Sequence, residues 1–312
     1  MAVVLSGNTD KVVDARSFSM AFGRHVVIKD LSFSVTKGEV FGFLGANGAG
    51  KTTTIRALLG LYQPTGGELL INSHRYNADM SAAIGYLPEE RGLYRNEPVL
   101  ETMVYFAVLH GLDQSEAQRR ALAYLKRVGL EDKANERLVK LSGGQQQKIQ
   151  LGVTILHEPA LMILDEPTEA LDPVNRSLLM DIITERRNKG ATVMLVTHRM
   201  EEVEQLCDRI LMLKDGSAAL YGKIDAVKEQ FGSKVIAINF SGKLKTNDKL
   251  YKITKHLPHS AELHWNNNVT TDDVLRVLAN DENLHLMSFE VRLPSLNDIF
   301  LQMYKDQEGS DV

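Results

Sequence analysis

The sequence predicts an α/β fold built on a mainly parallel sheet, with an antiparallel β subdomain, an inserted helical subdomain and a small C-terminal α+β domain. Three observations carry this expectation. Leu161-Met162-Ile163-Leu164 and Thr192-Val193-Met194-Leu195-Val196 are continuous apolar runs, as strands covered on both faces require. Segments of helical period alternate with such runs, the order that builds a parallel sheet. A third apolar run, Glu39-Val40-Phe41-Gly42-Phe43-Leu44, passes straight into a glycine-rich loop and then into the helical pattern of Thr53 to Leu59.

Residues 11–35 alternate and turn like an antiparallel sheet, with Val12 to Met20 as a strand and Phe22-Gly23-Arg24-His25 as a turn. Phe22 has two readings: an exposed ring able to stack on an adenine base, or a core residue of the small sheet. Gln63-Pro64-Thr65-Gly66-Gly67 breaks the helix after the glycine loop, and Leu69 to Asn72 and Ile84 to Leu87 are the next strands. The pattern then turns helical. Val99 to Leu109 ends at Gly111, and a helix opening at Ser115-Glu116 puts Ala121, Leu122, Leu125 and Val128 on one face before Gly129. This block, about residues 89–140, interrupts the α/β pattern and reads as an insertion into a domain spanning 1–225.

Leu141-Ser142-Gly143-Gly144-Gln145 opens another helix, with Ile149, Val153 and Leu156 on its apolar face. Asn175 to Asn188 and Arg199 to Cys207 read as helices, and Arg209 to Leu213 as a strand. After Gly222 the character changes, and residues 234–306 are expected to hold roughly three strands and two or three helices, in a ferredoxin-like order. His256, His259, His264 and His285 are scattered there, without metal-ligand spacing.

The chemistry concentrates in three places. Gly45-Ala46-Asn47-Gly48-Ala49-Gly50-Lys51-Thr52 fits G-x-x-x-x-G-K-[ST]. Gly45, Gly48 and Gly50 let the backbone curl and turn its N–H groups inward, and the helix start at Thr53 adds a positive dipole end. Asn47 and Thr53 belong to the same cradle. Lys51 would reach β- and γ-phosphates, and the Thr52 hydroxyl would ligate Mg²⁺. The bland alternative is a flexible glycine turn. Asp165-Glu166 follows four apolar residues at a strand's carboxyl end, where open α/β sheets bind ligands. Asp165 can hold Mg²⁺ there, and Glu166 can orient an attacking water; elsewhere the pair would be a solvated turn. Ser142-x-x-Gln145 is a capping box. Capping does not need Gly143 and Gly144, which cost about 1 kcal/mol each against alanine; bare backbone at a helix start suits an anion.

Composition narrows the class. The 312 residues are 44% hydrophobic and 24% charged with a net charge of −4, an ordinary globular balance without the basic excess of a nucleic-acid binder. Cys207 is the single cysteine, so neither an internal disulfide nor a cysteine metal cluster is possible. Met1 to Asn8 lacks the features of a signal peptide, and Gln307 to Val312 reads as a frayed acidic tail. No apolar run approaches the ~18 residues of a membrane helix.

Together these motifs, in this order, resemble the ATP-binding cassette (ABC) ATPases across residues 11–222: Gly45 to Thr53 as Walker A, Leu141 to Gln145 as the signature, Leu161 to Glu166 as Walker B with its glutamate, Leu171-Asp172 as the D-loop and His198 as the switch histidine. Phe22 falls at the family's aromatic stacking position. The resemblance implies a head-to-tail pair in which ATP is held by Walker A of one copy and by Ser142-Gly143, with Gly144, Gln145 and Asp172, of the other. It implies that Lys51 neutralises phosphate charge, Thr52 and Asp165 hold Mg²⁺, Glu166 polarises water and His198 senses the γ-phosphate. Two positions depart from the family pattern: Glu89 stands where glutamine is usual but could still reach the metal, and Glu169-Ala170 precedes Leu171-Asp172 in place of Ser-Gly.

Residues 87–94, Pro294-Ser295-Leu296 and the appended domain are similar to cassettes of bacterial sodium- and drug-efflux pumps. This implies a cytoplasmic subunit, peripheral on the inner face of the membrane, whose partner is an integral membrane permease docked on the 89–140 block. Nucleic acid is not an implied partner. A soluble cassette ATPase of translation or DNA repair is the alternative, disfavoured by the single cassette and the lack of a basic face. A nucleotide-gated binding module with little turnover is a third reading, disfavoured by Glu166.

Overall fold

Strand β3 (Val40–Gly45) is buried along its whole length and lies between β7 (Thr192–Val196) and β8 (Arg209–Lys214), parallel to both. The computed structural model describes residues 10–90, 92–231, 235–266 and 268–308; the signal-peptide reading at Met1 to Asn8, Arg91 and the last residues of the acidic tail lie outside them. The chain divides into two compact units, Met1–Ile224 and Asp225–Val312.

In the first unit, β5 (Ile84–Leu87), β6 (Leu161–Asp165) and β9 (Ser217–Lys223) complete a six-stranded sheet in the order β5-β6-β7-β3-β8-β9. All but the antiparallel edge strand β9 run parallel. The register sets Asp165 beside Val196 and Phe43 beside Val196, so the loops after β3, β6 and β7 emerge together at one edge. That common edge is what assembles a site from distant segments.

A second, antiparallel sheet is formed by β1 (Lys11–Phe22), β2 (His25–Thr36) and β4 (Gly66–Ile71), ordered β2-β1-β4. Its Phe18, Phe33 and Val35 share a core with Phe41 and Phe43 of β3 and Ile55 of α1 (Lys51–Leu58).

The insertion consists of α2 (Val99–Leu109) and α3 (Gln114–Arg127), joined by short 3₁₀ turns to α4 (Gly143–Ile155). It enters between β5 and β6, which are neighbours in the sheet. Helix α3 starts earlier than Ser115, because Asp113 accepts the Glu116 N–H as its N-cap. Its buried stripe is Ala117, Ala121, Tyr124 and Leu125, while Leu122 is exposed, contrary to the sequence expectation. Leu122 lies one residue, about 100° of helix, beyond Ala121, and that step carries it off a stripe centred on Tyr124.

Helix α4 is buried from Gln147 to Ile155, a wider surface than Ile149, Val153 and Leu156 alone imply. A Cβ on Gly152 would lie 2.4 Å from the Tyr124 ring, so the bare residue admits the ring against the helix. The Tyr124 hydroxyl donates to the Lys148 carbonyl (2.6 Å), and the Lys148 ammonium donates to the Val128 carbonyl (3.0 Å) at the end of α3. The inserted helices are thereby tied to the helix that begins with Ser142-Gly143-Gly144.

In the second unit, α7 (Ile224–Phe231) leads to β10 (Val235–Gly242), β11 (Tyr251–Leu257), β12 (Ser260–Trp265), α8 (Thr271–Ala279), β13 (Leu284–Arg292) and α9 (Leu296–Glu308). The sheet order is β11-β12-β10-β13, antiparallel throughout. Four strands are present rather than about three. Edge strand β11 exposes Lys252, Thr254, Lys255 and His256, a polar pattern with weak strand signal. The strand order is that of a split βαβ fold, but residues 243–250 join β10 to β11 without a helix. Ile236, Ile238, Phe240, Leu263, Val274 and Leu278 form its core.

Candidate nucleotide site

The loop between β3 and α1 folds as its glycines require. Gly45 has φ 153° and passes so close to β8 that a Cβ would lie 2.6 Å from the Leu213 carbonyl oxygen. Gly50, at the start of α1, has φ 104°, and a Cβ would meet the Ile28 side chain at 2.4 Å. Backbone conformation excludes side chains at both positions, and at Gly45 the rigid backbone of β8 also leaves no space for one.

A cavity of about 350 Å³ opens over this loop, lined by Val27, Asn47, Gly48, Gly50, Lys51, Thr52, Thr53, Glu89, Asp165 and Glu166. The Lys51 ammonium is buried and donates to the carbonyls of Gly45 (2.8 Å) and Ala46 (3.2 Å). Burial lowers its pKa, opposed by the charges of Glu166, Asp165 and Glu89. The Thr52 hydroxyl donates to Asp165 at 3.3 Å. Asp165 is 1% exposed, and its pKa is pushed up to about 7, chiefly by burial and then by Glu89 and Glu166. Three carboxylates thus face one ammonium beside a hydroxyl. Asp165, Glu89 and the Thr52 hydroxyl are hard oxygen donors that suit a divalent cation such as Mg²⁺, although among the described residues no three acidic or histidine side chains already converge on one metal position.

Glu166 sits at the end of β6 with φ 48°, a left-handed conformation unusual for a residue with a side chain. Its N–H donates to the Val196 carbonyl (2.8 Å). One carboxylate oxygen accepts the His198 backbone N–H (3.0 Å) and lies 2.7 Å from His198 Nδ1; the other accepts the Thr197 hydroxyl (3.1 Å). The surrounding bonds over-determine the strained position, as is common at functional sites.

The structure therefore gathers Asn47, Gly48, Gly50, Lys51, Thr52, Thr53, Glu89, Asp165 and Glu166, with Gly45 beneath and His198 attached through Glu166. Phe22, Ser142, Gly143, Gly144, Gln145 and Asp172 do not line the cavity. Phe22 is half exposed at the end of β1, set edge-on against Tyr62, so it is not a core residue of the small sheet. Ser142 and Gln145 complete the capping box of α4 reciprocally (2.8 and 3.3 Å). A Cβ on Gly144 would come within 3.3 Å of Leu171 and 3.4 Å of the Ala170 carbonyl oxygen. Asp172 caps α5 (Pro173–Asn188) by accepting the Asn175 N–H at 3.0 Å.

Three residues outside the motifs hold the site. Gln147 donates to the carbonyls of Glu166 and Pro167, Gln150 donates to those of Pro88 and Glu90, and Thr197 holds Glu166. The signal in the sequence is slight: Gln147 and Gln150 lie three apart on a helix that also carries Gln145, Gln146 and Lys148. The loops they fasten are distant in sequence, so spacing could not reveal them.

Residues 28–169 match the ABC transporter family, and residues 222–304 match the C-terminal domain of DrrA1-3-like ATP-binding proteins. The chain is 37% identical to the ABC transporter ATP-binding protein YhaQ of Bacillus subtilis, covering 90% of this chain and 94% of that one. It is 32% identical to the linearmycin resistance ATP-binding protein LnrL of the same organism (94% and 98% covered). The Nod factor export ATP-binding protein I of Bradyrhizobium diazoefficiens is 33% identical (95% and 97% covered). A solved ATP-binding subunit of an ABC transporter superposes with a TM-score of 0.67 at 31% identity, covering 70% of this chain and 93% of the other.

Proposed function

We propose that this chain, which belongs to the ATP-binding proteins of ABC transporters, is the ATP-hydrolysing subunit of an exporter whose membrane permease is a separate chain. Family membership makes it a nucleotide-binding ATPase. The export reading is supported by relatives named for drug resistance and Nod factor export, which match across nearly the whole chain. Among the described residues no helix is long and apolar enough to cross a membrane, which is compatible with a peripheral subunit on the cytoplasmic face.

The observation that carries the reading is one cavity lined by Lys51, Thr52, Asp165 and Glu166, from two segments far apart in the chain. The Lys51 ammonium would exchange two backbone carbonyls for β- and γ-phosphate oxygens. Thr52 and Asp165 would hold Mg²⁺, with Glu89 in reach, and the cation would neutralise phosphate charge. Glu166 would orient the water that attacks the γ-phosphorus, and His198 would contact the γ-phosphate while fixing Glu166. Catalysis then rests on positioning and electrostatics, as phosphoryl transfer requires.

Because Ser142-Gly143-Gly144-Gln145 and Asp172 do not line the cavity of their own chain, we assign them to the nucleotide of a second copy, packed head to tail. Phe22 would stack on the adenine ring. The test is Glu166→Gln in the full chain. With ATP it is expected to run as a dimer on gel filtration while turnover falls at least about a hundredfold; an active, monomeric variant would contradict the assignment. Co-purification with an integral membrane protein supports the exporter reading over a soluble role in translation or DNA repair, and its absence counts against it.

A further inference from the structure

We propose that Glu202 is a positioning residue for ATP hydrolysis, pinning the segments that carry Glu166, Asp172 and His198 to one buried carboxylate. The proposal rests on the ATPase reading above. Glu202 lies on α6 (Met200–Leu206), the helix that follows His198, and is 4% exposed. One of its oxygens accepts the hydroxyl of the fully buried Thr168 at 2.6 Å. The same oxygen lies 3.6 Å from Arg176 Nε and 3.8 Å from Arg199 Nε.

Each partner leads to a different part of the site. Thr168 is two residues after Glu166. Arg176, on α5, also donates to the Leu171 carbonyl (3.4 Å), next to Asp172. Arg199 follows His198, and its N–H donates to the Thr197 hydroxyl (3.1 Å), which itself donates to Glu166.

A buried carboxylate is costly unless it is paired. Packing α6 would be served as well by an apolar side chain, and Glu202 does not line the cavity over the glycine loop. The second Glu202 oxygen and both Nε atoms have no hydrogen-bond partner, so the arrangement is not optimised as an ion pair. What it does achieve is a fixed relation between three loops that meet nucleotide from different directions. Displacing the loop after Glu166 by a fraction of an ångström would misplace the water without disturbing Lys51 or its loop.

The experiment compares ATP turnover and ATP binding in the full chain, with its permease present where turnover depends on it. Glu202→Ala and Thr168→Val are each expected to lower kcat at least about tenfold while ATP affinity stays within about twofold. Thr168→Ser should retain most of the native kcat. The double variant should be no slower than the worse single one, since both remove the same link. Native kcat in Thr168→Val, losses that multiply in the double variant, or a rise in KM at unchanged kcat would overturn the proposal. If Glu202→Ala does not fold, Thr168→Val, which exchanges the hydroxyl for a methyl group of similar size, decides the matter. Lys51→Ala serves as the control: if it retains turnover, the ATPase site itself is misassigned, whereas its inactivity alongside native-like Glu202 and Thr168 variants refutes the positioning role alone.

Discussion

Both units bury apolar cores, but they differ in the polar groups they bury. All of the buried polar and charged side chains among the described residues, from Asp14 to Glu202, lie in the first unit. The second unit buries Ile236, Ile238, Phe240, Leu263, Val274 and Leu278, and keeps its charges in exposed or half-exposed pairs such as Lys245–Asp281 and Arg292–Glu262. Taking Lys51, Asp165 and Glu166 out of water costs stability, and the cost makes sense where those groups are to meet phosphate and a cation in a water-poor site. The second unit buries no comparable group of charges among its described residues.

The contrast can be broken most sharply at Lys51. Lys51→Ala should abolish ATP turnover, a loss of at least about a hundredfold, and weaken nucleotide binding, with little effect on the melting temperature. Retention of hydrolysis would remove the reason for burying the ammonium. Next in size is packing. Leu263→Ala, at a fully buried core position of the second unit, should cost about 2–5 kcal/mol of that unit's stability, read by denaturant unfolding. ATP turnover by the first unit should persist; joint loss of both would show that the division into two bodies is not energetic.

Gly152→Ala should cost about 1–3 kcal/mol, because the added methyl collides with Tyr124 and Met103, and turnover should fall with it as the inserted helices shift on α4. A neutral substitution would mean that the contact between α3 and α4 is looser than its geometry.

The smallest effect concerns His157. Its ring stacks on His110 at 4.0 Å, and burial, followed by the neighbouring His110, lowers its pKa to about 4. The unfolded chain, with the ordinary value near 6.5, binds the proton first. The stabilising contribution is therefore complete above about pH 6.5 and is lost as pH falls toward 4. His157→Gln should flatten the loss of melting temperature over that window; an unchanged slope would assign it to other groups.

Much of the first unit was legible in the chain. The apolar runs at Leu161 to Leu164 and Thr192 to Val196 and the glycine loop at Gly45 to Gly50 each appear where expected, because buried parallel strands and phosphate loops constrain composition locally. Leu122 and strand β11 were less legible. A hydrophobic residue one step off a helical stripe, and a polar edge strand, look alike whether or not they are covered. Gln147, Gln150 and Thr197 left almost no trace, since the backbone carbonyls and the carboxylate they hold are brought near only by the tertiary fold.

The sequence by itself determined which chemical groups exist and their local backbone: the curled loop, a helix directly after it (expected from Thr53, formed from Lys51), the helix start at Gly143, and the carboxylates after an apolar strand. Local sterics and periodicity suffice for that. Only the tertiary structure decided that Asp165 stands beside Thr52 and that Glu166 is clasped by Thr197 and His198. It also left the Ser142 helix start outside its own chain's cavity. Those relations follow from strand order and desolvation, which join residues 31 to 113 positions apart and have no expression in any short stretch of the chain.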